Sequence, residues 1–450
     1  MNPDAATAPI DVQTTALELA AELVEKTDAG VDQLERLLTA EVGQTESEIL
    51  YEENKLELHR YSPETVEHET PIFIVYALVN RPYILDLQPD RSVIQRLLEA
   101  GFEVYLVNWG EPSRLDRALE LEDYICRYID NCVDVVCEDA GVDDIHLLGY
   151  CMGGSMSIMY AVLFQERVRT LSLMATPVAF EGKCGILERW ASHYDADLAV
   201  ETLGNIPAEL LAFEFSMMDP IDQYIGKYVR LYDNLEDDDF VENFSRMEQW
   251  IWDGVDVAGE TFRQFINELY KDNALARNEF TMAGERIDLG EIEVPVLQIV
   301  GEYDHIVPAE SSKPFNEKVG SEDTTLIEFS AGHIGISVSS KAHAKLWPEV
   351  TDWYAERDAG QSTSGEHAAD GSNPERQGSD ESTADGQDTE PPQLLTELRG
   401  IGATYAGRLA AAGIGTPREL AEYDPQELAE ITGSSPSQTR EWIEQVAPTQ

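Results

Sequence analysis

The six residues Gly149-Tyr150-Cys151-Met152-Gly153-Gly154 constrain this chain more than any other stretch, because they join the apolar run DIHLL directly to the small-residue segment SMSIMYAVLF. A strand followed at once by a helix needs a sharp, strained turn, and glycines flank such a turn because side chains there would collide with neighbouring backbone. The pattern is G-x-S-x-G with cysteine in place of serine. A nucleophile held this way stands at the top of a sheet and at a helix N-terminus, whose partial positive charge and free N–H groups suit a thiolate and an oxyanion. Cys151 is therefore the candidate nucleophile and the Met152 amide the first candidate oxyanion donor. Taken alone, the motif is equally compatible with a buried structural cysteine beside a tight turn.

The rest of the chain supplies the sheet that the turn requires. Apolar, strand-like runs recur as KLELHRY from Lys55, PIFIVYALV at 71–79, EVYLVNW at 103–109, DIHLLGY at 144–150, TLSLMAT at 170–176, VPVLQIV at 294–300 and TLIEFSA at 325–331. Helical stretches such as Val93–Ala100 and Leu115–Ala140 lie between them. Apolar strands alternating with helices predict a largely parallel sheet covered on both faces. The segment 177–293 breaks the rhythm, being rich in aromatic and Met residues (Phe213, Phe215, Met217, Trp250, Phe262, Tyr270) without clear strands. It is expected to be a helical cap inserted between two core strands, able to exclude water from the site. Ordinary helical core is the plainer alternative.

Chain order strengthens the chemical reading. α/β hydrolases present nucleophile, acid and histidine in that order, and ligand-binding groups belong at the carboxyl ends of parallel strands. Here GEYDHIVP follows VPVLQIV and places Asp304 just past a strand; GHIG follows TLIEFSA and places His333 likewise. His305 competes for the base, but its position beside the acid suits a secondary contact better. A solvated loop carboxylate is the bland reading of Asp304 in so acidic a chain, and order and strand context decide against it. The fold class is therefore α/β, an α/β-hydrolase fold with an inserted cap. In that fold the loop after PIFIVYALV supplies the second oxyanion N–H, assigned to Val79; Arg81 either meets a substrate phosphate or pairs with one of many acids.

Composition sets the surroundings. Eighty-six Asp and Glu against 31 Lys and Arg give a formal net charge of −55. That charge destabilises the compact state unless it is screened, and molar salt shortens the Debye length to about 3 Å; the composition reads as halophilic. Disorder is excluded over residues 50–354, along which 6 of the 7 Trp, 16 of the 18 Tyr and all 13 Phe are spread. Cys126, Cys132, Cys137, Cys151 and Cys184 form an odd set without CxxC spacing, which suggests neither disulfides nor zinc but reduced thiols in a cytoplasm. No apolar run approaches the roughly 20 residues of a membrane span. The expected organisation is an N-terminal helical segment at 1–50, a catalytic domain at 51–357, an acidic disordered linker at 358–393 and a small helical domain at 394–450. Leu398-Arg399-Gly400-Ile401-Gly402, with Ile414-Gly415 downstream, resembles helix-hairpin-helix domains that bind DNA phosphates. Acids outnumber the arginines around it, and high salt removes the counterion-release gain, so nucleic acid is disfavoured.

Together VYALVNRPYILDLQP, VYLVNWGEPSRLDR, GYCMGG, GEYDHIVP and SAGHIG resemble the catalytic subunit of class III poly(3-hydroxyalkanoate) synthases over roughly residues 50–355. The tail and acidity look like the forms from extreme halophiles. The resemblance implies a triad of Cys151, Asp304 and His333, (R)-3-hydroxyacyl-CoA (chiefly 3-hydroxybutyryl-CoA) as substrate, and neither metal nor cofactor. It implies a PhaE-type second subunit in a homo- or hetero-oligomer, and a cytoplasmic location on polyester granules. Asn108 departs from the Asp found there in many relatives. The rivals are a thioesterase or ester hydrolase of the same fold, since fold alone does not set function, and a nucleic-acid-binding protein driven by the tail.

Overall fold

In the computed structural model residues 41–180 and 185–359 are described, with scattered positions between Leu409 and Ile443. The expected helices of residues 1–40 and most of the expected linker and tail domain lie outside the described residues. The chain divides into two compact units, Met1–Glu366 and His367–Gln450.

The first unit is built on an eight-stranded sheet of order β1-β2-β4-β3-β5-β6-β9-β10. Its strands are β1 (Glu48–Glu53), β2 (Leu56–Tyr61), β3 (Ile72–Val75), β4 (Val104–Asn108), β5 (Ile145–Tyr150), β6 (Val168–Met174), β9 (Val296–Gly301) and β10 (Thr324–Phe329). β2 runs antiparallel to β1 and β4; every other neighbouring pair is parallel. Every residue of the central strands β3, β5 and β9 is buried, whereas β1, at one edge, is mostly exposed. Parallel strands covered on both faces must be apolar throughout, which is why IFIV and VLQIV carry no alternation.

Helices α1 (Val93–Glu99), α2 (Asp130–Ala140) and α3 (Met152–Leu163) connect the early strands. The Ser92 hydroxyl caps α1 by accepting from the Gln95 amide at 3.0 Å. Gly141 ends α2 in the left-handed region at φ 71°. Between β6 and β9 come α4 (Ile186–Ala191), α5 (Ala196–Leu203), α6 (Ala208–Ser216), α7 (Lys227–Asp233), α8 (Asp238–Trp252) and α9 (Gly259–Gln264), then a two-stranded hairpin, β7 (Thr281–Met282) and β8 (Glu285–Arg286). The inserted segment is thus mainly helical, with its own small core of Ile206, Leu211, Val257 and Phe262.

Two boundaries differ from the sequence expectation. β1 straddles the expected boundary at residue 50, because its half-exposed EILYEE has no apolar face long enough to register as a strand. The final helix, α10 (Trp347–Ala359), overruns the expected linker start. Asp358 is held there by the amides of Glu69 and Thr70, both at 3.2 Å, and by His68 at 3.3 Å, so the body does not end at 357.

Candidate active site

Cys151 follows β5 directly and forms the N-cap of α3, at φ 54° and ψ −122°. A non-glycine residue in that region costs on the order of 1–3 kcal/mol and persists only where its surroundings enforce it. The enforcement is visible. The Cys151 amide donates to the Met174 carbonyl of β6 at 2.9 Å, and the Gly154 amide to the Cys151 carbonyl at 3.0 Å. Helix α3 approaches so closely that a Cβ on Gly153 would run into the Val75 carbonyl, and one on Gly154 into the Thr176 side chain. Met152, first residue of α3, carries one of the amides that a helix N-terminus leaves without an intrahelical partner.

Asp304 and His333 reach the same sheet edge from the loops after β9 and β10. Those loops are stitched together, Glu302 N to Phe329 O at 2.8 Å and Tyr303 N to Ala331 O at 3.0 Å, so acid and histidine are carried by one backbone frame. His333 Nδ1 donates to Asp304 Oδ2 at 2.7 Å, with both side chains buried. The other carboxylate oxygen accepts from the amides of Ile306 at 2.9 Å and Val307 at 2.7 Å, which fixes its orientation. Burial alone would push the His333 imidazolium down; the Asp304 charge, the nearby Cys151 sulfur and hydrogen bonds to both overcome this and raise His333 to about 10. Cys151, Asp304 and His333 are therefore brought together, while His305 points out into solvent.

Other residues surround this group without any signal in the local sequence. The Tyr150 ring stacks on His333 with centroids 5.4 Å apart, and its hydroxyl donates to the His333 carbonyl at 3.2 Å. Tyr270, from the inserted segment, is partly buried and close enough to Cys151 and Asp304 to feel both charges, though burial itself contributes most to raising its hydroxyl. Val79 lies in the bend after β3, packed against the inserted segment's core. Arg81 pairs with Asp253 at 3.3 Å and Glu111 at 3.5 Å, the second of the two readings its sequence allowed. The Asn108 side chain donates to Glu57 at 3.2 Å and accepts from the Gly110 amide at 3.2 Å, a local bridge at the end of β4. Among the described residues no group of three or more His, Cys, Asp or Glu could hold a metal ion.

Comparison with known proteins follows this geometry. A family described as the alpha/beta hydrolase fold matches residues 70–339, and one described as the poly-beta-hydroxybutyrate polymerase (PhaC) N-terminus matches residues 14–97. The poly(3-hydroxyalkanoate) polymerase subunit PhaC of Haloferax mediterranei is 47% identical, over 97% of this chain and 98% of its own. The chain belongs to the PhaC family. The PhaC subunit of Haloarcula marismortui is also 47% identical, over 98% of each chain, and that of Allochromatium vinosum is 44% identical over 78% of this chain and 99% of its own. Residues 392–447 match a SAM-like helix-hairpin-helix tandem. As a PhaC chain this protein is a poly(3-hydroxyalkanoate) polymerase subunit on an α/β-hydrolase fold, and among its described residues no helix is long and apolar enough to cross a membrane.

Proposed function

We propose that this subunit polymerises (R)-3-hydroxyacyl groups, chiefly 3-hydroxybutyryl, from their coenzyme A thioesters through an acyl-enzyme on Cys151. The observation that carries the proposal is a strained cysteine at a helix N-terminus beside an imidazole whose far nitrogen is bonded to a buried carboxylate. With the Cys151 proton held on His333 as an imidazolium, the thiolate attacks the acyl carbonyl; the C–S bond to coenzyme A breaks, and the departing thiolate takes that proton from His333. The Met152 and Val79 amides hold the oxyanion of the tetrahedral intermediate. The 3-hydroxyl of a further acyl group, its proton taken by His333 or Asp304, then attacks a thioester carbonyl, forming the oxyester and releasing the thiol.

Cysteine suits this cycle because one thioester is exchanged for another of similar energy, and a thiolate of parent pKa about 8.5 leaves far more readily than a serine alkoxide. The cycle consumes the thioester as substrate and needs no cofactor. A class III arrangement, with a PhaE-type second subunit at a granule surface in the cytoplasm, completes the reading. The exposed apolar row Ile221, Ile225, Val229 and Tyr232 on the inserted segment supports a protein contact there. For the tail, a protein or granule contact is favoured over nucleic acid. The decisive test is CoA release from 3-hydroxybutyryl-CoA by Cys151→Ala with the second subunit present: release is expected to vanish, and its survival would remove Cys151 as nucleophile. Free 3-hydroxybutyrate in place of polymer as the wild-type product would favour the hydrolase rival.

A further inference from the structure

The stretch 77–80, which carries the candidate oxyanion donor Val79, is held at its far end, and flanked at its near end, by one side chain of the inserted segment. Trp250, near the C-terminal end of α8, donates its indole N–H to the Arg81 carbonyl at 2.8 Å. The buried Tyr76 hydroxyl lies close to the same indole. Tyr76 and Arg81 thus bracket the stretch. Three residues further on, Asp253 binds the Arg81 guanidinium at 3.3 Å. On the opposite side the Tyr76 carbonyl accepts from Trp109 Nε1 at 2.9 Å and lies against Gly153 of the elbow. Inside the stretch Asn80 holds φ 63°, a conformation that needs support.

We infer that Trp250, seconded by Asp253, is a positioning residue for the oxyanion loop, so that seating of the inserted helix α8 and assembly of the oxyanion site are one event. This rests on the reading of Cys151 as nucleophile and Val79 as donor. An indole bonded to the Arg81 carbonyl and lying beside Tyr76 fixes where the intervening amides point, and an amide displaced by about 1 Å forfeits much of its stabilisation of a developing oxyanion. α8 is thereby part of the electrostatics of the site as well as its cover.

Two reactions of the same sulfur separate this role from a merely structural one. Alkylation of Cys151 by iodoacetamide is a displacement at saturated carbon and builds no oxyanion; acylation by 3-hydroxybutyryl-CoA does. With the full chain and its second subunit, Trp250→Phe is expected to alkylate at close to the wild-type rate. First-turnover CoA release should fall by about 10- to 100-fold, in kcat and not KM. Asp253→Asn, at a half-exposed site, should show a smaller loss with the same split, and serves if Trp250→Phe does not fold. Parallel loss of alkylation and acylation in both variants, or no loss of acylation in either, overturns the inference. Undiminished CoA release by Cys151→Ala would instead overturn the nucleophile reading beneath it.

Discussion

At the scale of single residues, the Asp304 carboxylate decides the state of His333. Its two amide bonds and the imidazole contact leave it anchored and charged inside the protein, where an uncompensated charge is costly. His333 is consequently held protonated up to about 10, against a burial effect of opposite sign. A raised folded-state value means that the pair's stabilising contribution is complete below the ordinary imidazole value of about 6.5 and is lost as pH rises through about 10. In Asp304→Asn the strongest raising influence disappears, so the His333 ring should titrate at lower pH. The loss of stability between neutral and alkaline pH should flatten. Ring-carbon NMR shifts of His333 followed from pH 5 to 11 test this, and an unmoved titration would show that Asp304 does not govern it. The meeting of Cys151, Asp304 and His333 was legible in the sequence because each sits just past a strand's carboxyl end, and parallel strands bring those ends to one edge. Tyr150, Tyr270 and Trp250 were not legible, since each acts by contact with a segment remote in the chain; Trp250 and Arg81 are 169 residues apart.

At the scale of elements, the strands were legible from their apolar runs, while their ends and the exposed edge strand were not. PIFIVYALV reads as nine strand residues, yet β3 keeps only Ile72–Val75, because the chain must bend away there to make room for the elbow, whose Gly153 lies against the Val75 carbonyl. β1 escaped notice for the opposite reason, an edge strand needing little apolar content. The inserted helices show a further division. Their inward side packs on Ile206, Leu211 and Val257, while Ile221 at 74%, Ile225 at 61% and Val229 at 52% exposure project outward at helical spacing. In so acidic a surface a contiguous apolar row is expensive unless something covers it. Ile221→Asp with Ile225→Asp should leave the subunit folded, with a stability change within about 0.5 kcal/mol as for exposed positions generally. Association with the second subunit should weaken severalfold. Unchanged co-elution of the two subunits on size exclusion in molar KCl would refute a role for this face in assembly.

At the scale of the whole molecule, two units must fold in one chain bearing a formal charge of −55. The Allochromatium vinosum relative spends 99% of its own length on 78% of this chain, which accounts for the catalytic body with little left for a tail. Within the second unit Leu409, Ile414, Leu420, Leu428 and Trp442 are buried, and the Ile414 amide donates to the Leu409 carbonyl at 2.8 Å. A unit that buries its apolar residues and matches a helix-hairpin-helix family of its own has the makings of a separate cooperative element. The first unit already contains every residue proposed to act on substrate, and α10 closes it through Asp358. A chain cut after Glu366 should therefore unfold cooperatively in molar KCl within a few degrees of the corresponding transition of the full chain. With the second subunit it should release CoA from 3-hydroxybutyryl-CoA at a similar rate. If instead the truncated chain loses turnover while keeping its thermal transition and its Cys151 alkylation rate, the tail acts in the polymerase itself and not only in what the polymerase is attached to.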